Sequence, residues 1–231
     1  MKRSEINAII LNAKAMLEAN HIHLPPFGYW TPEDWATKGD ECSEIRDCML
    51  GWDVTDFGSG DYERSGLALF TVRNGHKLIE AHQHKTYCEK LLFIGEDQVT
   101  PFHYHVDKEE DIINACCGEL IIKLHNKTED NRLADTEVTV SMDGVKHDLP
   151  GGSEVVMKPG ESITLPPFLY HEFRAKPGKG PVISREVSKV NDDNSDNFFL
   201  QELPRFPEIE EDEAPVHLLC TEYGAGVSAY C

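Results

Sequence analysis

Four side chains, His103, His105, Glu110 and His171, have the types and the spacing to hold a divalent metal ion. The first three fall within Thr100-Pro-Phe-His103-Tyr-His105-Val-Asp-Lys-Glu-Glu110. Residues i and i+2 of a strand point to the same side, so His103 and His105 would project together into a barrel. Glu110 can return on the next strand after a tight turn, and Gly118 permits the reversal before a strand over 119–124. His171 follows Pro166-Pro167-Phe168-Leu169-Tyr170, a Pro-led turn that can bring a fourth ligand into the same barrel. Imidazole and carboxylate donors suit Mn, Fe, Co, Ni or Zn, one divalent ion per subunit. An octahedral ion on four such ligands keeps two cis positions for substrate, and an open site is a catalytic rather than a structural arrangement.

The same spacing occurs twice. His82-Gln83-His84 followed by Glu89 repeats it, and two histidines on a strand are by themselves ordinary polar residues. Context separates the copies. The later one is followed by the glycine turn, a strand and the Pro-led histidine. The earlier one has no glycine where its turn would need one, and Lys90 adjoins its acid. The metal is therefore assigned to His103, His105, Glu110 and His171. His76, His125, His147 and His217 fall in loop-like contexts and read as surface residues.

The elements that must position these residues are short. From Gly66 onward, runs at 67–72, 90–94, 119–124, 136–142, 154–158, 162–165, 169–174 and 181–188 read as strands. Asn74-Gly75, Asp143-Gly144, Gly151-Gly152 and Pro159-Gly160 separate them. Asp143-Gly144 after 136–142 predicts a hairpin, and many short strands at this spacing mean a sandwich or barrel. Upstream, Ser4 reads as the N-cap of an amphipathic helix carrying Ile6, Ile9, Ile10, Ala13 and Leu17 and ending near Asn20. Residues 21–26 read as extended, because proline restricts the residue before it. Thr31-Pro32-Glu33-Asp34 reads as a second helix start. The segment 191–197 reads as a polar loop and the acidic run 208–213 as a solvated one. The expected architecture is one all-β domain over 1–231, with a helical and loop extension at 1–65 packed on a barrel and C-terminal segment at 66–231.

An apolar share of 40% and a charged share of 27% are those of a folded soluble protein. A net charge of −19 supplies no basic stripe for nucleic acid and opposes an anionic membrane surface. A small neutral polar substrate fits it best. No run approaches the ~18 consecutive apolar residues that cross a bilayer. The first residues do not read as a secretory signal, since the apolar run 8–11 is short and Lys14 and Glu18 follow it. The seven cysteines are odd in number and lack CxxC spacing, so they read as reduced thiols of a cytoplasmic protein.

At the four ligand positions the sequence resembles the cupin superfamily, whose motifs have the forms G-x5-H-x-H-x(3,4)-E-x6-G and G-x5-P-x-G-x2-H-x3-N. Gly160, Pro166 and His171 keep the second spacing, while Phe168 stands at the motif's glycine and Ala175 at its asparagine. In the first motif Gly95 lies too far upstream and Gly118 one residue late. These departures touch turns and leave the ligands in place. The longer run from Tyr87-Cys-Glu89-Lys90 through Gln98, Pro101, His103, His105 and Glu110 to Asp111-Ile-Ile-Asn114 is similar to the D-lyxose isomerase family of cupins. The N-terminal helix and Leu24-Pro25-Pro26-Phe27 share in the likeness. The resemblance implies a double-stranded β-helix (jelly-roll) barrel and the same four ligands. It further implies Mn²⁺, a cytoplasmic homodimer, and interconversion of D-lyxose with D-xylulose, often of D-mannose with D-fructose too.

Such an isomerase removes a proton beside a carbonyl and returns it one carbon away, and a positioned base contributes roughly 10²–10⁴-fold in rate. Glu186 is the first candidate base. On 181–188 it shares a face with Val182, Ser184 and Ser188, and apolar walls would raise its pKa; the resemblance points to it as well. Lys90, on the side of 90–94 that carries Leu92 and Ile94, is the second candidate, a cation for developing negative charge and for substrate. The plain alternative is a structural ion pair between Lys90 and Glu186. Asp193 and Glu202 are weaker candidates for binding substrate, set against a reading as surface acids. Phe27, Trp30 and Phe168 are candidate walls of a sugar pocket, set against ordinary core aromatics. Two other functions compete. A non-haem iron oxygenase needs a more open site than four protein ligands leave, and a sugar-binding cupin without turnover is compatible with the same fold.

Overall fold

The computed structural model describes residues 1–193 and 195–224, so Cys231 lies outside the described residues. Three α-helices open the fold: α1 (Arg3–Ala19), α2 (Pro32–Trp35) and α3 (Ser43–Asp47). The strands follow as β1 (Gly51–Thr55), β2 (Leu67–Arg73), β3 (Tyr87–Ile94), β4 (Thr100–Tyr104), β5 (Glu110–Cys117), β6 (Leu120–Lys127) and β7 (Leu133–Ala134). Then come β8 (Val138–Met142), β9 (Val145–Leu149), β10 (Glu154–Met157), β11 (Ser162–Leu165), β12 (Leu169–Ala175), β13 (Val182–Lys189) and β14 (Phe198–Phe199). Neighbours pair antiparallel throughout, in the orders β1-β2-β3-β13-β5-β11-β8-β9 and β10-β6-β12-β4-β14, with β7 on β6. Inward residues of both sheets, among them Leu69, Leu92, Ile112, Ile122, Leu124, Ile163 and Phe173, share one core. The two sheets therefore face each other as a curled all-β barrel, the expected class.

The β1–β2–β3 end of the larger sheet is covered on both sides. Leu67 and Leu69 of β2 point into the barrel, whereas Ala68 and Phe70 point outward with Trp52, Val54, Leu91 and Phe93. Helix α1 lies over this outer face through Ile6, Ile10, Ala13 and Leu17, all buried. Its spacing of three and four residues makes that stripe, and each buried Ile or Leu contributes roughly 1.5–3 kcal/mol. Burial of both faces explains why 67–72 reads as a continuous apolar run rather than an alternation.

Several local expectations change. The cap of α1 is Lys2, whose backbone N–H donates to Glu5 Oε2 at 2.8 Å; Ser4 lies inside the first turn and donates its hydroxyl to Asp212 Oδ2 at 2.7 Å. Asp212 belongs to the acidic run, and Glu211 of that run ion-pairs with the buried Arg3. The 208–213 segment is solvated, as expected, and it also straps the helix start, because its carboxylates answer an unpaired helix N–H and a buried guanidinium. Extended backbone over 21–26 is interrupted at His21, where φ is +56°, and ends at Pro26, which opens a short 3₁₀ turn. Strand β1 lies within the stretch read as extension, yet it pairs with β2 along its whole length and completes the sheet. The hairpin at Asp143-Gly144 forms as expected, with φ of +48° and +82° and Met142 paired with Val145. A Cβ at Gly118 would stand 2.3 Å from the Gly180 carbonyl oxygen, which is why the turn out of β5 needs glycine.

Candidate active site

Strand β4 carries His103, and His105 follows it two residues on, so both rings enter the barrel. The neighbouring strand β12 sets His171 directly opposite His103. All three are buried, and their ligand atoms lie within 4.8 Å of one another. Each ring is fixed by its Nδ1, which donates to a backbone carbonyl: His103 to Pro101 at 2.8 Å, His105 to Asp196 at 2.7 Å and His171 to Leu169 at 3.0 Å. That tautomer leaves the Nε2 lone pairs facing the interior. Nε2 of His105 and of His171 are buried without a hydrogen-bond partner.

Glu110 opens β5 from the facing sheet and brings Oε1 to 3.1 Å from His171 Nε2 and 3.6 Å from His105 Nε2. Lone pairs converging on a carboxylate at these distances repel unless a cation lies among them, so the donor set fits a divalent metal ion. Burial, then the neighbouring His171 and His105, push the His103 pKa well below 6.5, and burial and Lys108 lower that of His105. Both rings therefore stay neutral, as ligands must.

Beside this centre runs a chain of buried charges. Lys108 Nζ lies 2.7 Å from Glu110 Oε2 and 2.9 Å from Glu186 Oε1. Lys90 Nζ, across the β3–β13 pair from Glu186, is 3.6 Å from the same Oε1 and 2.7 Å from Asn191 Oδ1. Ser188 donates its hydroxyl to Glu186 Oε1 at 3.1 Å. Burial alone would raise the Glu186 carboxyl, but Lys108 and Lys90 outweigh it and hold the pKa below the usual value. This corrects the expected direction: the walls around Glu186 are cationic as well as apolar. Burial likewise opposes ionisation of Glu110, and the ammonium group of Lys108 overcomes it.

Lys90, His103, His105, Lys108, Glu110 and Glu186 line one cavity, together with Leu92, Ile112, Phe173, Phe199, Asp193, Asn197 and Arg205. Asp193, weighed as a surface acid, is largely buried: its Oδ2 is 3.1 Å from Arg205 Nη2, and Asn197 donates to its Oδ1 at 2.7 Å. Arg205 also pairs with Asp53 of β1 at 2.5 Å and keeps Nη1 buried without a partner.

Other sequence candidates lie elsewhere. Glu202 is exposed. Phe27 stacks on Phe70 in the outer cluster, Trp30 packs edge-on against Trp35, and neither lines the cavity. Phe168 is half-exposed, with φ of +65°; it takes the left-handed conformation that the motif's glycine would take, and its N–H donates to His105 O at 2.7 Å. His125 and His217 are buried rather than at the surface, the first against Phe102 and the second between Trp30 O and Lys14 Nζ. His76 and His147 are half-buried.

Three residues of this site escaped the sequence reading. Lys108 lies in the turn before β5, and its only signal is that it shares parity with Glu110. Asp196 accepts the backbone N–H groups of Val106, Asp107 and Lys108 at 2.9, 3.0 and 2.9 Å and so fixes that turn. Short carboxylates favour such bonds, but nothing local tells which turn they serve. Arg205 gives no signal at all.

Comparison with known proteins finds relatives along nearly the whole chain. A family model described as D-lyxose isomerase matches residues 1–223. A "D-lyxose/D-mannose isomerase" of Serratia proteamaculans is 46% identical over 224 residues, 96% of this chain and 98% of that protein. One of the same description from Escherichia coli O157:H7 is 44% identical over the same shares. Among solved structures, the L-ribose isomerase of Geodermatophilus obscurus superposes with a TM-score of 0.59 at 18% identity, covering 91% of this chain and 98% of its own. A mutant of the Acinetobacter sp. DL28 L-ribose isomerase in complex with L-ribose gives 0.59 at 15% identity over the same shares. At such identities these two speak for the fold. Matched over nearly its whole length by the family model and by relatives this similar, the chain belongs to the D-lyxose isomerase family of aldose–ketose isomerases.

Proposed function

We propose that the protein interconverts D-lyxose with D-xylulose, and D-mannose with D-fructose, with Glu186 as the base and with Mn²⁺ held by His103, His105, Glu110 and His171. One observation carries this reading. The unpartnered imidazole nitrogens at Glu110 are joined through Lys108 to a second buried carboxylate, Glu186. The names borne by the relatives at 46% and 44% identity support the choice of sugars.

A divalent ion in that donor set supplies Lewis acidity toward the sugar's carbonyl. Glu186, kept ionised by two lysines, takes the proton from the carbon beside the carbonyl and delivers it to the adjacent carbon. Its depressed pKa makes it a weak base, so charge on the sugar oxygens must be stabilised for the transfer to proceed. Lys90 and Lys108 provide two ammonium groups for that purpose while they orient Glu186. Asp193 and Arg205 accept from and donate to hydroxyls further along the open chain, with Arg205 Nη1 as the free donor. Leu92, Ile112, Phe173 and Phe199 keep bulk water from the proton in transit. The homodimer and the cytoplasmic setting implied by the family resemblance complete the reading, and light scattering and cell fractionation test them.

The deciding experiment incubates Mn²⁺-reconstituted protein with a panel of aldoses without oxygen and follows ketose formation by NMR. D-xylulose from D-lyxose is the expected product. Absence of conversion for both D-lyxose and D-mannose overturns the proposal.

A further inference from the structure

We propose that Cys116 and Cys117 form a dithiol site for thiophilic trivalent arsenic compounds, separate from the isomerase centre. Neighbouring residues of a strand point to opposite sides, so consecutive cysteines ordinarily hold their sulfurs apart. At the end of β5 they meet. The two Sγ atoms are 3.4 Å apart, with the Cys117 thiol donating to Cys116 Sγ. The cause lies in the backbone: Cys117 has a φ of +80°, in the left-handed region, and this turns its side chain back alongside Cys116. The surroundings hold the turn in place. Strand β13 pairs Val182 with Cys117 and Ile183 with Cys116, and the next residue is Gly118, whose N–H donates to Pro181 O at 2.9 Å.

Access is equally specific. Cys117 is exposed and Cys116 half-buried, whereas Cys42, Cys48, Cys88 and Cys220 are buried. Among the described residues the 116–117 pair is therefore the thiol group open to a reagent in solvent.

The chemistry requires no oxidant. An aryl arsenic(III) oxide exchanges its bond to oxygen for two As–S bonds; both thiol protons pass to the oxygen, which leaves as water, and arsenic stays trivalent. Once one sulfur has bound, the second lies within contact distance, so closing the ring is an intramolecular step. Burial pushes the Cys116 thiol up to about 12, so Cys116 holds its proton at rest. The exchange consumes the thiol protons and does not need two preformed thiolates.

Phenylarsine oxide tests the site on the full chain by intact mass measurement. One C₆H₅As group per chain is expected, replacing two hydrogens. It should resist excess 2-mercaptoethanol and leave with a dithiol such as 2,3-dimercaptopropanol, the mark of attachment through two sulfurs. Cys117→Gly should abolish that monothiol-resistant adduct, and glycine adopts a φ of +80° without strain, so the variant keeps the turn. Peptide mapping of the wild-type adduct gives a second readout that needs no variant. The proposal is overturned if no adduct forms, if a monothiol removes it, if it maps outside the peptide containing 116–117, or if it persists in folded Cys117→Gly.

Discussion

His82 and His103 begin the same pattern, a second histidine two residues on and an acid five residues after that, and the fold treats the two copies oppositely. His82 ends a 3₁₀ turn and lies 2.9 Å from Asp47 Oδ2; His84 is exposed; Glu89 faces Arg73 at 2.8 Å and Arg185 at 3.4 Å. Each polar group there has an ordinary partner or water. The later copy has rings tied down through Nδ1, Nε2 atoms left over, and an acid aimed at them. What separates them is the strand alongside. Strand β12 places His171 against His103, while Glu89 points to the opposite side of β3 from Lys90. A ligand set is made by convergence of elements, and spacing along one of them is only its first condition.

The contrast can be broken or sharpened by substitution. His171→Ala removes the histidine that has no counterpart at the earlier copy, and metal content by elemental analysis and activity should both fall to background. Glu186→Gln leaves the donor set intact, so metal content should hold while kcat falls by about 10²–10⁴-fold. Asp196→Ala frees the turn that carries Lys108 and the carbonyl that orients His105, and metal affinity measured by competition titration should weaken by about 10–100-fold.

Acid gives a subtler separation. Burial depresses the pKa of His103 and His105 below 6.5 in the folded chain, so the unfolded chain takes up protons first as pH falls. In metal-free protein this stability is present above pH ~6.5 and is lost as pH drops below it toward the folded values. His103→Asn should flatten that decline in thermal unfolding. The smallest effect belongs to His84→Ala, which should keep metal and activity and alter stability by no more than about 0.5 kcal/mol. Loss of metal in that variant would reverse the assignment of the two copies.

Periodic segments were legible in the sequence because one interaction dominates each. Ile6, Ile10, Ala13 and Leu17 announce the buried stripe of α1, and 162–165 coincides with β11. The convergence of His103, His105, Glu110 and His171 was legible because parity and turns place them. Strand β1 was not: its five residues are buried on both faces, so no alternation marks it, and Asp53 stands in their midst. Lys108 and Arg205 were hidden for a different reason. Lys108 meets Glu186 across 78 positions of the chain and Arg205 meets Asp53 across 152, and no local pattern records contacts of that range. The error over Glu186 has the same origin, since a carboxylate's pKa follows its neighbours in space.

The strap over α1 has a consequence for the order of events at the ribosome. Arg3 waits 208 positions for Glu211 and longer for Glu222, and the cavity lacks Arg205 over the same interval. During translation the helix emerges with its guanidinium unneutralised and its apolar stripe bare, while the rest of the barrel is still unmade. Closing of the cavity at Arg205 and fastening of α1 by Glu211 and Glu222 therefore both wait until nearly the whole described chain has been made.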